Sequence, residues 1–250
     1  MAKRSPMELE VVRSTQITNH MLRITLGGNA LTSFPDDQEG AYVKLIFPQR
    51  NAPRPLMRTY TIRRQREMEI DLDFALHEPM GPASTWAVNA KPGDRIIVGG
   101  PGPKKLINQD ADWFLLAGDM AALPAISVNL SKLPEDAIGY AVIEVASQAD
   151  IQSLDHPAKM ELHWEINSTH DPNGDFLVSK VEKLEWLQGQ PAVWSACEFN
   201  SMRNLRQFFH DQRDIAKTHL YLSSYWKLGQ SEDEHKIAKQ QDAEQTAANT

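Results

Sequence analysis

The run Gly99-Gly100-Pro101-Gly102-Pro103 divides this chain into two textures that no single regular fold accommodates. Glycine opens backbone conformations closed to other residues, and proline fixes φ and removes a donor, so neither helix nor strand continues through such a run. Upstream, β-rich stretches follow one another. Met21–Leu26, Ala41–Phe47, Arg58–Arg63, Ile70–Leu76 and Arg95–Val98 are separated by Gly27-Gly28, Pro35-Asp36-Asp37 and Lys91-Pro92-Gly93-Asp94. In Ile70–Leu76 the apolar residues fall on alternate positions, so one face is buried; across a polar turn from Arg58–Arg63 this reads as a hairpin. One short helix, Pro82 to Val88, interrupts the strands with proline at its start. Strands with a single helix predict a small antiparallel barrel.

Downstream, strand candidates alternate with helical patterns. The strands are Trp113–Ala117, Tyr140–Val145, Glu161–Ile166, Ala192–Ala196 and His219–Leu222. The clearest helix is Ser201 to Asp211, with Met202, Leu205, Phe208 and Phe209 on one face and Asn200 or Ser201 as its cap. Such alternation implies a doubly wound parallel sheet. The expected organisation is therefore β then α/β: a barrel domain over 1–108, an α/β domain over 109–230, and a helical or disordered tail over 231–250. That tail opens with the capping box Ser231-Glu232-Asp233-Glu234 and reads as a partly frayed, solvent-exposed helix.

A net charge of -7 argues against general nucleic-acid affinity. Between Ala41 and Arg66, however, the only charged residues are Lys44, Arg50, Arg54, Arg58, Arg63, Arg64 and Arg66, a local cationic patch suited to a small anionic ligand. The lone Cys197 excludes an internal disulfide, the first residues, Met-Ala-Lys-Arg-Ser-Pro, carry no apolar signal core, and no apolar run is long enough to span a bilayer; a cytoplasmic location and no membrane partner are expected. The histidines (His20, His77, His156, His163, His170, His210, His219 and His235) show no metal-ligand spacing.

Chemistry concentrates in two stretches of the barrel half. Arg58, Tyr60 and Thr61 supply, within one short reach on a strand, a cation for a phosphate, a ring to stack on a flat cofactor and a hydroxyl for a ring nitrogen, which outlines a flavin site. Gly81-Pro82-Ala83-Ser84-Thr85 then opens the short helix, whose free N–H groups favour a pyrophosphate and hence FAD over FMN. The plainer readings are an aromatic half-buried in a sheet for Tyr60, a satisfied histidine at a strand end for His77 and an ordinary Pro-started helix for 81–85; it is the combination that favours the flavin.

These motifs, with Gly99-Gly100-Pro101-Gly102-Pro103, Gly118-Asp119, Ala122–Ile126 and Tyr225-Trp226-Lys227-x-Gly229, resemble in order those of the siderophore-interacting family of FAD-dependent ferric-siderophore reductases, within the ferredoxin-reductase superfamily. The resemblance implies FAD held by Arg58, Thr59, Tyr60, Thr61, His77, Gly81, Pro82, Ala83, Ser84, Thr85 and Trp86. Within that set, Arg58 pairs with a phosphate, Tyr60 packs on the isoalloxazine and Thr61 bonds the flavin ring. It implies NADH or NADPH at Gly118, Asp119, Cys197 and Glu198, and a ferric siderophore or other ferric chelate at Lys44 and Lys227. The flavin carries the chemistry, dividing a two-electron donation into single electrons for Fe(III), so no catalytic side chain and no resident metal is expected. Ferredoxin is an alternative donor, and a monomer is expected. The chain departs from the family at Met120-Ala121, where Glu-Thr is usual, and at Cys197, where glycine is usual. A general flavin or ferredoxin-coupled reductase and a non-catalytic siderophore- or nucleotide-binding protein are the competing readings. Cys197 has no activating neighbour in sequence and is expected to be a buried structural thiol.

Overall fold

A computed structural model describes residues 5–49, 54–169, 171–213 and 215–248; Arg50 and His170, named above, lie outside the described residues. The chain forms two compact units. The first runs to Leu106 and takes in Pro124–Lys132 and Ala149–Asp155; the second comprises Ile107–Leu123, Leu133–Gln148 and His156 onward.

In the first unit, β1 (Met7–Thr18), β2 (Met21–Gly27), β3 (Tyr42–Phe47), β4 (Leu56–Arg66), β5 (Glu69–Ala75) and β6 (Arg95–Gly99) close into an antiparallel barrel in the order β1-β2-β5-β4-β3-β6. Period-two alternation fills its interior with Ile24, Val43, Leu45, Ile62, Leu72, Phe74 and Val98, each fully buried. The outward positions carry cross-strand ion pairs: Arg23 with Asp73 at 2.6 Å, and Arg66 with Asp71 at 2.6 Å and Glu69 at 2.9 Å. Desolvation works to raise the Asp71 carboxyl, but hydrogen bonds from Arg66 and Thr25 outweigh it and hold the group below its ordinary range. Part of the cationic patch is thus committed to the barrel wall. The helix α1 (Pro82–Asn89) buries Ala83 and Ala87 against the same core.

The Gly-Pro run lies along β3. The Gly102 N–H donates to the Tyr42 carbonyl at 2.8 Å, and any side chain on Gly102 would enter the Tyr42 ring. Two later segments also belong to this unit. Val128, on α2 (Leu123–Ser131), would contact a β-carbon at Gly40, and the fully buried Asp150 accepts hydrogen bonds from Thr18 Oγ1 at 2.8 Å and His20 N at 2.9 Å and lies 2.8 Å from His20 Nδ1.

In the second unit, β7 (Trp113–Gly118), β8 (Ile138–Val145), β9 (Lys159–Ile166), β10 (Pro191–Glu198) and β11 (Leu220–Trp226) form a parallel sheet in the order β11-β10-β7-β8-β9. The chain leaves β7 in one direction and later returns to its other side, so a topological switch point lies between β7 and β10. The β8–β9 connection has only a short 3-10 turn at Gln148–Asp150 where a helix is the common solution. Helices α3 (Asp175–Val181) and α4 (Phe199–Gln212) pack on the sheet. The four α4 residues expected on one face are all buried, but the cap is Glu198, which accepts from the Asn200 and Ser201 N–H groups; neither Asn200 nor Ser201 caps.

The final helix, α5 (Glu232–Ala248), has the expected capping box: Ser231 N and Oγ donate to Glu234 Oε2 at 2.7 and 2.8 Å, and Glu234 N donates to Ser231 Oγ at 3.3 Å. One of its faces is docked, unlike a freely solvated helix. Asp242 pairs with Arg206 at 2.8 Å, Lys239 Nζ donates to the Ser224 carbonyl at 3.0 Å, and His235, only 4% exposed, sits 2.8 Å from Ser224 Oγ and edge-on to Phe199. Desolvation, then the charges of Lys239, Lys227 and Lys236, lower the His235 imidazole to about 4 from an ordinary 6.5. Between those values the unfolded histidine takes a proton that the docked one refuses. Stability contributed here is complete above pH 6.5 and falls as the pH drops toward 4, by about 2–3 kcal/mol. His235→Phe should flatten this acid limb; denaturation at pH 7 and pH 5 checks it, and equal slopes in both proteins would remove His235 as the cause.

Candidate functional site

On the barrel, β4 carries Arg58, Thr59, Tyr60 and Thr61 opposite Leu45, Lys44, Val43 and Tyr42 of β3. Tyr60 is half-buried, its ring 4.1 Å from that of Phe74 at an interplanar angle of 33°. Phe74 lies 6.0 Å from Trp86 of α1, and Trp86 lies 6.1 Å edge-on to Phe47 of β3. This chain of rings ties the Arg-x-Tyr-Thr strand to the helix that follows Gly81, so the two sequence motifs are held by one packed aromatic cluster. Phe47 and Phe74 were not among the expected site residues. Their signal was present, since Phe74 is the large residue of an alternating strand.

The α1 N-terminus suits a diphosphate. Gly81 is its N-cap, Pro82 has no N–H to leave unsatisfied, no side chain caps the turn and no acidic residue lies within it. A β-carbon built on Gly81 meets nothing within 4 Å, so a bulky anion can reach the backbone there. Arg58 Nη1 donates to its neighbour's carbonyl, Met57 O, at 2.9 Å. His77 is exposed just beyond β5, and Lys44 is half-buried within β3. These residues fit FAD.

In the second unit a depression lies at the carboxyl ends of the sheet strands, lined by Asp119, Glu144, Asn167, Asp171, Phe176, Glu198, Ser201, Trp226 and Leu228. Open α/β sheets bind ligands at this edge, beside the switch point. Asp119 organises it. Its Oδ1 accepts from the Ala121 and Ala122 N–H groups at 3.0 and 3.3 Å, while Oδ2 accepts from Glu198 N at 2.8 Å and Trp226 Nε1 at 2.7 Å. Burial still pushes this carboxyl above its ordinary range, against those four donors. Glu198 receives Asn200 N at 2.5 Å, Ser201 N at 3.3 Å and Leu228 N at 3.1 Å. Asp119 and Glu198 are therefore spent on holding strand ends together. Cys197 points into the core, 1% exposed, with burial, then the Asp119 charge, raising its thiol well above the ordinary range. Lys227 Nζ lies 4.4 Å over the Phe199 ring. Glu144, Asn167, Asp171 and Ser201 were missed in sequence, although a carboxylate closing the strand after Gly118-Asp119 is the sort of residue the doubly wound pattern calls attention to.

The chain matches the description "Siderophore-interacting FAD-binding domain" over residues 10–55 and 49–105, and "Siderophore-interacting protein" over 111–229. Ferric vibriobactin reductase ViuB of Vibrio cholerae is 32% identical over 251 residues, covering 91% of this chain and 92% of its own. The NADPH-dependent ferric-chelate reductase of Escherichia coli is 28% identical, covering 88% and 92%. The crystal structure of the siderophore-interacting protein SipS from Aeromonas hydrophila superposes with a TM-score of 0.87 at 32% identity, covering 97% of this chain and 99% of that one.

Desolvation, then the neighbouring Asp119 charge, pushes Glu144 up to about 7 from an ordinary 4.5. The stability held by its protonated form is complete below pH 4.5 and lost as the pH rises through 7, because the native state must then ionise a group the unfolded chain has already ionised. Glu144→Gln should therefore leave stability near pH 4.5 little changed and raise it at pH 8 by about 2–3 kcal/mol; urea denaturation at both pH values checks this.

Proposed function

The chain belongs to the siderophore-interacting protein family, and on that premise we propose that it is an FAD-dependent ferric-siderophore reductase, passing electrons from NADH or NADPH to chelated Fe(III) and releasing Fe(II). The observation that carries this reading is the aromatic cluster joining the Arg58–Thr61 strand to an uncapped, acid-free helix start at Gly81. The chemistry that bound FAD supplies is the division of a two-electron donation into the single-electron steps that Fe(III) accepts.

The protein's part is binding and orientation. Arg58 contributes a charge-assisted contact to a cofactor phosphate, Tyr60 a face for the isoalloxazine and Thr61 a hydroxyl for its ring. Backbone N–H groups at Ala83 and Ser84 meet the diphosphate, with Trp86 beside it and His77 near the adenosine end or the diphosphate. Gly118, Asp119, Cys197 and Glu198 frame the dinucleotide site through their backbone and their support of the strand ends. Lys44 and Lys227 draw an anionic chelate, and iron arrives as ligand-wrapped substrate; among the described residues no cluster of His, Cys, Asp and Glu could hold a metal ion. The same reading has the enzyme work in the cytoplasm as a monomer, with reduced ferredoxin as a second donor. No described helix is long and apolar enough to cross a membrane.

Arg58→Ala should weaken FAD retention by about 1.5–3 kcal/mol, the worth of one hydrogen bond to a charged group, and unchanged flavin occupancy after dialysis would reject the site. The FAD-loaded wild type should be bleached anaerobically by a nicotinamide donor and recoloured by a ferric chelate; a flavin that no donor reduces would leave a binding protein in place of an enzyme.

A further inference from the structure

Of the carboxylates around the depression, Asp119, Asp171 and Glu198 are engaged at both oxygens. Asp119 holds the four donors described above; Asp171 Oδ1 accepts from Asn173 N at 2.9 Å and its Oδ2 from Asp175 N and Phe176 N at 2.6 and 3.0 Å; Glu198 accepts from Leu228 N with one oxygen and from Asn200 N and Ser201 N with the other. These donors are backbone amides and an indole, which carry no net charge, so the negative charge is held in place without being neutralised. No lysine or arginine lines the depression: Lys227 is turned over Phe199, and Lys180, over the Phe176 ring, is paired with Glu165 at 2.6 Å. An anion entering here would meet Asp119, Glu144, Asp171 and Glu198 with no cation to offset them; the group that suits the depression is positively charged.

Three lining residues keep an acceptor unmatched among the described residues. Ser201 is only 7% exposed, and its hydroxyl has no hydrogen-bond partner there. Glu144 uses Oε1 to accept from Asn167 Nδ2 at 2.9 Å and leaves Oε2 open; the same bond fixes the Asn167 amide, so its Oδ1 is open as well. A primary ammonium carries three donors and no acceptor, the complement of such a set. The space between these residues admits a group about the size of one water molecule, which fits an ammonium end and nothing bulkier. A metal ion is a poor candidate, since among the described residues no group of three or more His, Cys, Asp and Glu could hold one. Leu228, on the rim, directly follows Lys227, the residue that draws the ferric chelate in the reading above.

We propose that the depression is a pocket for a primary ammonium carried by the ferric chelate: Glu144 Oε2, Ser201 Oγ and Asn167 Oδ1 accept its N–H groups while the oxygen-rich iron centre lies toward Lys227, so that chelates with a free terminal amine are preferred to the same chelates with the amine blocked. This rests on the reading of the chain as a ferric-chelate reductase and names a class of substrate for it. Selectivity arises because blocking the amine leaves a buried hydroxyl and a carboxylate oxygen facing a group that can no longer satisfy them.

The test is equilibrium titration of the oxidised, FAD-loaded protein with ferric desferrioxamine B, a trihydroxamate bearing a terminal ammonium, and with its N-acetyl derivative, in wild type, Glu144→Gln and Ser201→Ala. Wild type should bind the amine-bearing chelate about tenfold more tightly, a discrimination of about 1.4 kcal/mol. Glu144→Gln should bring the two within about threefold by weakening the amine-bearing chelate, and Ser201→Ala should weaken that chelate about fivefold while leaving the acetylated one unchanged. Equal affinities in wild type, or a preference untouched by Glu144→Gln, would overturn the inference and leave the reductase reading standing, as reduction of both chelates at similar rates would show. Spermidine alone should bind far more weakly than the amine-bearing chelate; equal or tighter binding would assign the pocket to a free polyamine and overturn the inference. Binding of neither chelate would also overturn it, and absence of any ferric-chelate reduction by the reduced flavin would take the reductase reading with it.

Discussion

One buried carboxylate fixes the carboxyl edge of the parallel sheet. Asp119 gathers donors from the turn after β7, from the backbone where β10 ends and from the indole where β11 ends, so three strands that are distant in sequence finish in register around a single group. An unpaired buried charge is among the costliest features a protein can carry, and four well-directed donors are what make this one tolerable. The arrangement also sets the field nearby. Burial first, and then the neighbouring Asp119 carboxylate, push both Glu144 and the Cys197 thiol upward.

The two halves of the chain finish their helix starts in opposite ways. On the barrel, a helix start is left without a side-chain cap and a strand motif is braced by rings, giving donors and a flat face. On the α/β unit, every helix start at the depression carries its own acceptor, giving an edge that is acidic and already satisfied. The first offers an unclaimed helix start to a diphosphate; in the second the helix starts at the depression already hold their own acceptors. Fold alone does not make this distinction, since both architectures commonly host nucleotides; the side chains at the helix starts make it.

Much of this was legible in the residues. Alternation in Ile70–Leu76 and the Gly-Pro run marked the barrel and its end, and the apolar face of α4 was visible in its spacing. Glu198 as the α4 cap was not, because it is also the last residue of β10 and capping preference points to Asn200 or Ser201. The docked face of α5 was hidden because its contacts are polar: His235, Lys239 and Asp242 look like solvated residues until Ser224 and Arg206 are placed opposite them. The acidic depression was hidden for a different reason. Asp119, Glu144, Asp171 and Glu198 are scattered along the sequence, and only the order β11-β10-β7-β8-β9 brings their strands to a common edge.

Asp150 bears on how the chain can be handled as a gene product. It is fully buried among Thr18 and His20 of the barrel, yet it is encoded between two strands of the parallel sheet, and Val128 over Gly40 repeats the pattern from α2. A cut after the Gly-Pro run would separate the strands cleanly and still strip the barrel of these pieces, leaving the His20 turn without its acceptor and Gly40 without its cover. The two units are consecutive as lists of strands but interleaved as polypeptide, so neither can be transplanted between proteins as a contiguous cassette.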